Sequence, residues 1–595
     1  MLEFNTVPEL LTEVHKNHKS KIAYKYKLND KFVDITFGDI YLMVEKLALS
    51  FLDLGLKKGD RIGLISENRY EWIISSLAIS CIGCVDVPVF PILTPEQESY
   101  IFNDCEATAI IVSNKYQLSK LLKVSEEISS LRQIIILEDL KEKDITVKAF
   151  TDLIQHGELL KEKNPNKFIE QAAKVSNDDL LTLIYTSGTT GAPKGVMLTH
   201  RNMMSNVEGA RELDVVKNDD LALSFLPFCH AYERTTGFYT MFSYGVTVAI
   251  AESIDAVPKN INEVRPTVMT TVPKLLETIK KKVYNLMERE GGIKLKIFIW
   301  AMTVGSKNIK LNNEGKSSFI NNRSYKFADK LVYSKIRLKL GGNLERFISG
   351  GAALSYEVAE FFAILGVNIY QGYGLTEASP CISCNSPSNN ELGTIGHVML
   401  NQEVKIAKDG EILVKGPNVM KGYWNNEEET NNTIDELGWL HTGDIGEFTE
   451  KGNLIITDRK KNIFVNKGGK NIAPQQIESA LSQSQYVNQV VLIGDNREYN
   501  IALIHCNDDM LEELKLNIKL EISSDENLKN NTIILREIKK DLDAFQSKFA
   551  KYEQARKIIL LDNPLTVESG ELTPKQSIKR HIVIENYAHL IDELY

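Results

Sequence analysis

The chain has 595 residues and a mass of 67.1 kDa, more than one hydrophobic core supports, so we expect several lobes. Its 43% hydrophobic and 25% charged residues are typical of a soluble globular protein. The net charge of −9 lacks the basic footprint of a nucleic-acid-binding protein, so no nucleic-acid partner is expected. No apolar run reaches the roughly 18 residues of a transmembrane helix, and the N-terminal sequence lacks the basic-then-apolar order of a signal peptide. We therefore expect a cytoplasmic location, and composition neither indicates nor excludes a peripheral contact on the inner face of a membrane.

The first 137 residues alternate predicted helices and strands. One predicted helical face carries the apolar residues Ile40, Met43, Val44, Leu47 and Phe51, and Gly55 ends that helix. Further predicted elements are strands at 61–66, 86–90, 109–112 and 133–137 and a helix at 70–81. This alternation predicts parallel α/β layers. Residues 138–178 are charged and rich in Asn and Lys, so we predict a solvated connection there.

Two cysteine pairs have C-x-x-C spacing, Cys81/Cys84 and Cys381/Cys384. A zinc site would need all four to converge as thiolates. Cys81 and Cys84 lie in an apolar run that is typical of a core helix leading into a strand. Because cytosolic thiols stay reduced and free cysteine packs as a small hydrophobe, we favour buried thiols over zinc or a disulfide.

The stretch from Leu180 to Gly195 has the composition of a phosphate-binding loop. A strand-like apolar run ends at Tyr185 and is followed by glycines and hydroxyl residues that Pro193, Lys194 and Gly195 close. Glycines let backbone N–H groups approach an anion, hydroxyls donate to phosphate oxygens, and Lys194 adds a positive charge. A Walker loop has its glycine before the lysine, whereas Lys194 precedes Gly195. A Gly/Thr-rich surface turn is the structural alternative.

The loop Thr186-Ser187-Gly188-Thr189-Thr190-Gly191-Ala192-Pro193-Lys194-Gly195 resembles the signature of the AMP-forming acyl-adenylating enzymes. These include acyl-CoA synthetases, luciferases and the adenylation domains of peptide synthetases. The resemblance implies an α/β fold: a large N-terminal domain of layered α/β subdomains, residues 1–458, with the ATP, Mg²⁺ and acyl sites. A small mobile α+β C-terminal domain, residues 459–595, would follow. The implied phosphate-binding residues are Thr186, Ser187, Gly188, Thr189, Thr190, Gly191 and Lys194.

The segment Leu226–Arg234, LPFCHAYER, places a histidine close to an aromatic residue and a Glu-Arg dipeptide. On chemistry alone, a substrate-facing cluster and a buried histidine with a local ion pair are equal alternatives. The pattern L-P-x-x-H-x-x-E-R is similar to that of long-chain and very-long-chain fatty acyl-CoA synthetases, which implies that His230 lies beside the carboxylate being activated. The aromatic run that follows is either core or acyl pocket; its members are Phe238, Tyr239, Met241, Phe242 and Tyr244.

Two glycine-containing segments, Phe347–Ala352 and Asn368–Glu377, end in small residues suited to a flat ring. The resemblance implies that they sandwich adenine, with Tyr373 stacking on it. It also implies that Glu377 binds Mg²⁺ with help from Thr189, which fits the preference of Mg²⁺ for a carboxylate, waters and substrate phosphates. The implied nucleotide-binding residues are Gly351, Ala352, Gly372, Tyr373, Gly374 and Thr376.

Asp444 lies in a tight glycine turn, where a purely structural aspartate is the alternative. The resemblance implies that its acceptor-only carboxylate holds the ribose hydroxyls. It places Arg459 in a hinge at 457–462, within reach of ribose or phosphate. The basic loop that contains Gly468 and Gly469 would line the channel for the pantetheine of coenzyme A.

The C-terminal loop Gly570–Arg580 departs from the family pattern. The family carries here a lysine that holds the carboxylate and the α-phosphate during adenylation, but ungapped alignment puts Ser577 at that position. Lys575 and Lys579 flank it, and we assign the role to Lys579. A slower first half-reaction, a shifted alignment and an exposed basic tail are the other interpretations.

Residues 280–345 are basic and rich in Asn, and they resemble the helical insertion of long-chain synthetases. A solvated helix face is the first interpretation of these lysines, and a membrane-facing surface is the second.

The resemblance as a whole implies a long-chain fatty acid–CoA ligase that uses ATP, Mg²⁺ and coenzyme A. Such an enzyme forms acyl-AMP and pyrophosphate, then acyl-CoA and AMP. We assign catalytic roles to Lys194, His230, Glu377 and Lys579, since charge neutralisation and positioning dominate reactions at phosphorus. The alternatives are adenylation with another acceptor, such as acyl-carrier protein, and a non-catalytic acyl-binding relative. No motif encodes chain-length preference or oligomeric state.

Overall fold

The structure is a computed structural model that describes residues 4–139, 147–186, 192–316, 318–518, 528–573 and 577–595. Backbone contacts divide the chain into two units. The larger comprises Met1–Lys405, Leu413–His441 and Glu450–Leu454, and the smaller comprises Ile406–Ile412, Thr442–Thr449 and Ile455–Tyr595. The α/β class is confirmed, whereas the boundary between residues 458 and 459 stays a prediction. Among the described residues, no helix has the length and apolar character needed to cross a membrane.

Strands occur throughout the chain. Up to the phosphate loop they are β1 (Ile22–Leu28), β2 (Lys31–Thr36), β3 (Arg61–Ile65), β4 (Val85–Val89), β5 (Ala107–Val112), β6 (Gln133–Ile136), β7 (Val147–Ala149) and β8 (Leu180–Thr186). The next are β9 (Lys194–Thr199), β10 (Leu221–Ser224), β11 (Thr247–Ile250), β12 (Val268–Thr271), β13 (Arg346–Ser349), β14 (Asn368–Gly374), β15 (Cys381–Cys384), β16 (His397–Val398), β17 (Glu403–Ile406), β18 (Glu411–Lys415) and β19 (Gly422–Tyr423). The last are β20 (Leu440–Phe448), β21 (Leu454–Arg459), β22 (Phe464–Val465), β23 (Asn471–Ile472), β24 (Val487–Ile493), β25 (Asn500–Cys506) and β26 (Ala555–Leu561).

Helices alternate with these strands. The first are α1 (Val7–His18), α2 (Phe37–Asp53), α3 (Tyr70–Cys81), α4 (Pro95–Asp104), α5 (Lys115–Leu122), α6 (Phe150–Lys163), α7 (Lys167–Ala172), α8 (His200–Glu212), α9 (Met241–Ser243) and α10 (Val257–Val264). A helical insertion follows, with α11 (Pro273–Glu290), α12 (Gly292–Asn313), α13 (Phe319–Ala328) and α14 (Ser334–Lys339). The remainder are α15 (Tyr356–Ile364), α16 (Glu427–Thr433), α17 (Pro474–Leu481), α18 (Asp508–Asn517), α19 (Thr532–Gln546), α20 (Arg580–Asn586) and α21 (Ala588–Asp592).

The first large sheet has the order β19-β9-β8-β4-β3-β5-β6-β7, and its strands from β8 to β7 are parallel. The predicted strands and the helix at 70–81 are confirmed within two residues. Gly55, with φ at +83°, follows α2 as predicted, because a left-handed residue ends a helix at little cost when it has no Cβ.

The prediction of a solvated connection over 138–178 is wrong for most of its described part. Strand β7 and helices α6 and α7 occupy it. Phe150 and Leu153 form a short buried stripe on α6, which the charged residues around them conceal in the sequence. A Cβ at Gly157 would lie 2.0 Å from the carbonyl oxygen of Lys46 on α2, so the absence of a side chain lets these two helices pack closely.

The second large sheet has the order β16-β15-β14-β13-β12-β10-β11-β1-β2. Strands β14, β13, β12, β10, β11 and β1 run parallel, so their carboxyl ends share one edge. Ligands of open α/β sheets bind at such edges. The segments that contain His230, Gly351 and Glu377 each follow one of these strands, β10, β13 and β14 respectively.

The cysteines are free thiols, all of them buried except Cys381, which is partly buried. Burial raises the pKa of Cys81 and Cys84, and it raises the pKa of Cys381 to about 11, which keeps the thiols protonated. Across the described ranges no cluster of three or more His, Cys, Asp or Glu side chains has the arrangement of a metal site.

The smaller unit has its own core. Its three-stranded sheet has the order β24-β25-β26, and α17 and α19 contribute buried apolar side chains against it. Leu481, Ile504 and Ile538 are fully buried members of this core. The predicted α+β character of this region is confirmed.

Candidate active site

The phosphate loop joins two antiparallel strands. Thr186, the last residue of β8, pairs with Lys194, the first residue of β9, so the described residues on either side of the loop lie next to each other. Ser187, Gly188, Thr189, Thr190 and Gly191 lie outside the described residues, and their predicted roles stay predictions. A Cβ at Gly195 would lie 3.0 Å from the ring of Tyr185, so a residue without a side chain lets the paired ends of β8 and β9 pack closely.

Tyr423 brings Lys194 and Glu377 together. Strand β19 pairs with β9, with Tyr423 opposite Val196. The Tyr423 hydroxyl donates a hydrogen bond to Oε1 of Glu377 at 2.9 Å, and the Lys194 ammonium lies 5.4 Å from the centre of the Tyr423 ring. Burial and the Glu377 carboxylate raise the pKa of the Tyr423 phenol, so it stays a donor.

The Lys194 ammonium forms an ion pair with Glu429 on α16. Both side chains are about one-third exposed, so the pair is accessible to solvent and to an incoming anion. Neither Tyr423 nor Glu429 stands out in the sequence, since only the pairing of β19 with β9 places them beside Lys194.

The His230 segment is fixed to the sheet edge by the residues that follow it. The Tyr232 hydroxyl donates to the carbonyl oxygen of Ile348 on β13 at 2.7 Å. A Cβ at Gly350 would lie 3.0 Å from the Tyr232 ring, so the glycine allows the ring to cover the end of β13. His230 itself is half-buried, and its Nδ1 accepts a hydrogen bond from the Tyr232 N–H at 3.2 Å. This bond leaves the proton of a neutral imidazole on Nε2.

Glu233 and Arg234 do not form the local ion pair that the sequence offered as one alternative. The buried Glu233 carboxyl group accepts hydrogen bonds from the Ser224 and Thr270 hydroxyls, both at 2.6 Å. Burial raises the pKa of Glu233 to about 7, although the two hydroxyls partly oppose that shift. Glu233 thereby links the His230 segment to the carboxyl ends of β10 and β12.

Arg234 connects the same segment to the other large sheet. Its guanidinium is fully buried and forms a bidentate ion pair with Asp86 on β4, with one contact at 2.8 Å. It also donates to the Thr182 hydroxyl on β8 at 2.9 Å and to the Ser76 hydroxyl on α3 at 3.1 Å. The H-x-x-E-R pattern therefore describes a segment that fixes the two sheets together and places His230 just before these anchoring residues.

The aromatic run after Arg234 belongs to the core. Phe238, Tyr239, Met241 and Phe242 are almost completely buried, and the Phe238 ring packs against Tyr239 and Phe242. The Phe238 ring also contacts Phe228 of the His230 segment, with ring centres 6.3 Å apart.

The implied adenine-binding residues lie after β13 and on β14. Gly351, with φ at +81°, and Ala352 are exposed at the end of β13. Tyr373 and Thr376 are buried, and Gly372 and Gly374 lie on β14. A Cβ at Gly374 would lie 1.8 Å from the carbonyl oxygen of Pro380, so this position has no space for a side chain.

The residues present suit the magnesium ion that the family implies. The Glu377 carboxylate is a hard oxygen ligand, it is half-buried, and Tyr423 holds one of its oxygens. Among the described residues no group of three or more His, Cys, Asp and Glu side chains could form an all-protein cage, so the site suits an ion that also takes water and substrate phosphates. Thr189, the other implied ligand, lies outside the described residues.

In the smaller unit the structure brings Asp444 and Arg459 together. Nε of Arg459 lies 3.2 Å from Oδ1 of Asp444, and the arginine side chain is 59% exposed. Gly443, with φ at +71°, makes the turn, and its N–H donates to the Glu411 carboxylate at 2.9 Å. The pair joins neighbouring strands β20 and β21 and presents a carboxylate and a guanidinium side by side.

The other predicted residues of the smaller unit lie in two loops. Gly468 and Gly469 are the exposed tip of the β22–β23 hairpin, where Gly469 has φ at +72°. Ser577 is exposed, and the N–H of Lys579 donates to the carbonyl oxygen of Glu571 at 2.8 Å. Lys575 lies outside the described residues.

Comparisons with known proteins agree with the resemblance. The AMP-binding enzyme family model matches residues 11–424, and the AMP-binding enzyme C-terminal domain model matches residues 461–595. Long-chain-fatty-acid--CoA ligase FadD15 of Mycobacterium bovis is 31% identical over 100% of this chain and 97% of its own length. Long-chain-fatty-acid--CoA ligase 5 of Mus musculus is 32% identical over 96% of this chain and 85% of its own length.

Solved structures share the fold. The adenylation domain of a carboxylate reductase from Mycobacterium chelonae has a TM-score of 0.79 at 21% identity, over 99% of this chain and 91% of that one. The o-succinylbenzoate CoA synthetase of Bacillus subtilis has a TM-score of 0.66 at 21% identity, over 96% and 97%. With the family models and the full-length relatives, the chain belongs to the AMP-binding enzymes that form acyl-adenylates, in their long-chain acyl-CoA synthetase branch.

Proposed function

We propose that this protein is an ATP-dependent long-chain fatty acid–CoA ligase. In the first half-reaction a carboxylate oxygen of the fatty acid bonds to the α-phosphorus of ATP, and the bond to the β-phosphate breaks to release pyrophosphate. In the second, the thiolate of coenzyme A bonds to the acyl carbon and AMP leaves. The observation that carries the proposal is the convergence of Lys194 and Glu377 on Tyr423, at the paired ends of β8 and β9.

Lys194 neutralises phosphate charge in this proposal. Its ammonium pairs with Glu429 in the structure, so phosphate binding replaces one anionic partner with another and the side chain is oriented beforehand. Tyr423 orients the Glu377 carboxylate through its hydroxyl. Magnesium held by Glu377, with Thr189, would supply Lewis-acid neutralisation of the pyrophosphate group.

His230 orients the fatty acid carboxylate. Since its Nδ1 accepts from the Tyr232 N–H, its Nε2 carries the proton and donates to an acceptor oxygen. A donor at this place holds the nucleophilic carboxylate without removing its charge. The anchors Tyr232, Glu233 and Arg234 keep the imidazole in position.

The nucleotide contacts follow the family assignment. Gly351, Ala352, Gly372, Tyr373, Gly374 and Thr376 hold adenine. Asp444 accepts the ribose hydroxyls, and Arg459, which pairs with it, reaches the ribose or phosphate.

The C-terminal loops serve the two half-reactions. Lys579 supplies the positive charge that lowers repulsion between the α-phosphate and the incoming carboxylate, in place of the lysine that Ser577 replaces. Gly468 and Gly469 line the path of the coenzyme A pantetheine. A cytoplasmic location with contact at the inner face of a membrane suits a long-chain acid that partitions into lipid.

The test measures pyrophosphate release from ATP and Mg²⁺ with fatty acids of increasing chain length, with and without coenzyme A. We expect release that requires a long-chain acid and acyl-CoA as the product. Lys194→Ala is the matched loss-of-function variant, and Lys163→Ala, an exposed lysine on α6, is the control. Acid-dependent release without a thioester would move the acceptor to a carrier protein. No release with any acid would overturn the enzyme assignment in favour of an acyl-binding protein.

A further inference from the structure

Helices α12 and α13 form an antiparallel hairpin whose outer face carries large apolar side chains. The Asn321 side-chain amide donates to Asn308 at 3.0 Å, and the rings of Trp300 and Phe327 meet edge to face with centres 6.1 Å apart. These contacts place one row of each helix on a shared surface. We call this surface the hairpin face; it consists of Ile293, Ile297, Trp300, Ile320 and Phe327 and the basic residues among them.

The apolar residues of α12 occur on two adjacent sides. Phe298, Ala301 and Gly305 face inward and are buried. Ile293, Ile297 and Trp300 follow at i, i+4 and i+7 on the other side, where Ile293 is 77% exposed.

Helix α13 continues the pattern, since Ile320 and Phe327 are 78% and 56% exposed. Single exposed apolar residues are ordinary, but a group of them on two packed helices, with two aromatic rings in contact, is typical of a contact surface.

The charge of the insertion indicates what it contacts. Residues 291–339 contain eleven Lys and Arg residues and two acidic residues, in a chain whose net charge is −9. Lys296 lies on the same side of α12 as Ile293 and Trp300, and Arg323 lies between Ile320 and Phe327 on α13; both are exposed. Basic side chains interleaved with aromatic and aliphatic ones match the headgroup region of an anionic bilayer.

We propose that the hairpin face docks on an anionic lipid bilayer, with Trp300 and Phe327 at the headgroup level and Lys296 and Arg323 on lipid phosphates. A second copy of this chain fits less well, because a two-fold interface would oppose one strongly basic segment to another. The inference does not depend on the proposed ligase activity, since docking requires no catalytic residue. It names a surface at which a membrane-partitioned acid would be within reach of the protein.

The experiment is flotation of the full chain with vesicles of phosphatidylcholine alone or with 30% phosphatidylglycerol. We expect at least tenfold tighter binding to the anionic vesicles, and we expect this preference to weaken as salt is raised. Trp300→Ala/Phe327→Ala and, separately, Lys296→Glu/Arg323→Glu should each weaken anionic binding at least tenfold. Tyr116→Ala, an exposed aromatic residue on α5, is the control and should bind as the wild type does.

Two further measurements keep the outcomes distinct. Thermal melts establish whether each double variant folds. If Trp300→Ala/Phe327→Ala does not fold, the surface variant Lys296→Glu/Arg323→Glu still tests the proposal. Wild-type binding by either folded double variant would overturn the proposal. Concentration-dependent dimers that the variants abolish, without vesicle binding, would assign the face to a second copy. Pyrophosphate release with a dissolved acid should be unchanged in both variants, so a failed docking test and a failed enzyme test have different readouts.

Discussion

The buried carboxyl group of Glu233 makes the pH dependence of folding stability a direct test of how the His230 segment is anchored. Its pKa is about 7 in the folded protein against an ordinary 4.5, because burial disfavours the charge. Between these two values the folded state binds the proton more tightly than the unfolded state does. Stability is therefore lost as pH rises from about 4.5 through 7, and the lost free energy of unfolding is about 3 kcal/mol at 1.36 kcal/mol per pKa unit.

Replacement of Glu233 by glutamine removes the titration and keeps the shape of the side chain. The amide still forms hydrogen bonds with Ser224 and Thr270, since their hydroxyls rotate to donate or accept. We expect the difference in Tm, Glu233→Gln minus wild type, to increase by roughly 3 °C between pH 5 and pH 8. This value is the lost free energy divided by the unfolding entropy of the larger unit, at about 2.1 cal/mol/K per residue.

The assay is thermal denaturation at pH 5, 6, 7 and 8 with Glu162→Gln, an exposed position on α6, as the control. Burial also raises the pKa of Glu98 to about 7 and that of Asp458 to about 6. Both groups titrate in the wild type and in the two variants, so their contributions cancel when the Tm values are compared. Parallel Tm profiles for Glu233→Gln and the wild type would refute a buried, proton-binding Glu233.

Three other substitutions have expected outcomes. Asp86→Asn leaves the Arg234 guanidinium buried without a counter-charge, so it should lower the free energy of unfolding by about 3–5 kcal/mol. Urea titrations measure this change, and an effect under about 1 kcal/mol would contradict the buried ion pair. Tyr423→Phe removes the hydroxyl that orients Glu377 and should lower kcat/KM for ATP–pyrophosphate exchange about tenfold. An unchanged exchange rate would contradict a role for Tyr423 in orienting Glu377. Lys579→Ala should reduce adenylation and leave thioester formation from supplied acyl-AMP unchanged, whereas a loss confined to Lys575→Ala would transfer the role to Lys575.

The chemistry-bearing motifs could be predicted because they are local. The hydroxyl- and glycine-rich loop with Lys194, the Tyr373–Glu377 segment and the Gly443–Asp444 turn are each written in consecutive residues. The strands predicted at 61–66 and 86–90 can also be recognised in the sequence, because a strand buried on both faces of its sheet is a continuous apolar run.

Other features depend on contacts between residues far apart in the chain. The sequence offered Glu233 and Arg234 as a local pair, but their partners are Ser224 and Thr270 in one case and Asp86, 148 positions away, in the other. Helix α6 is not evident in the sequence because its buried stripe is short and depends on a close approach to α2 at Gly157.

The family and the order of the motifs can be recognised in the sequence, and the proposed ligand-binding residues follow from them, because each motif is a run of consecutive residues. Only the tertiary structure decided that Tyr423 links Lys194 to Glu377, that Arg234 joins two sheets, and that the basic insertion exposes apolar residues on a second face. The physical reason is that strand pairing and helix packing bring distant segments within hydrogen-bonding distance, and no periodicity within either segment records its partner.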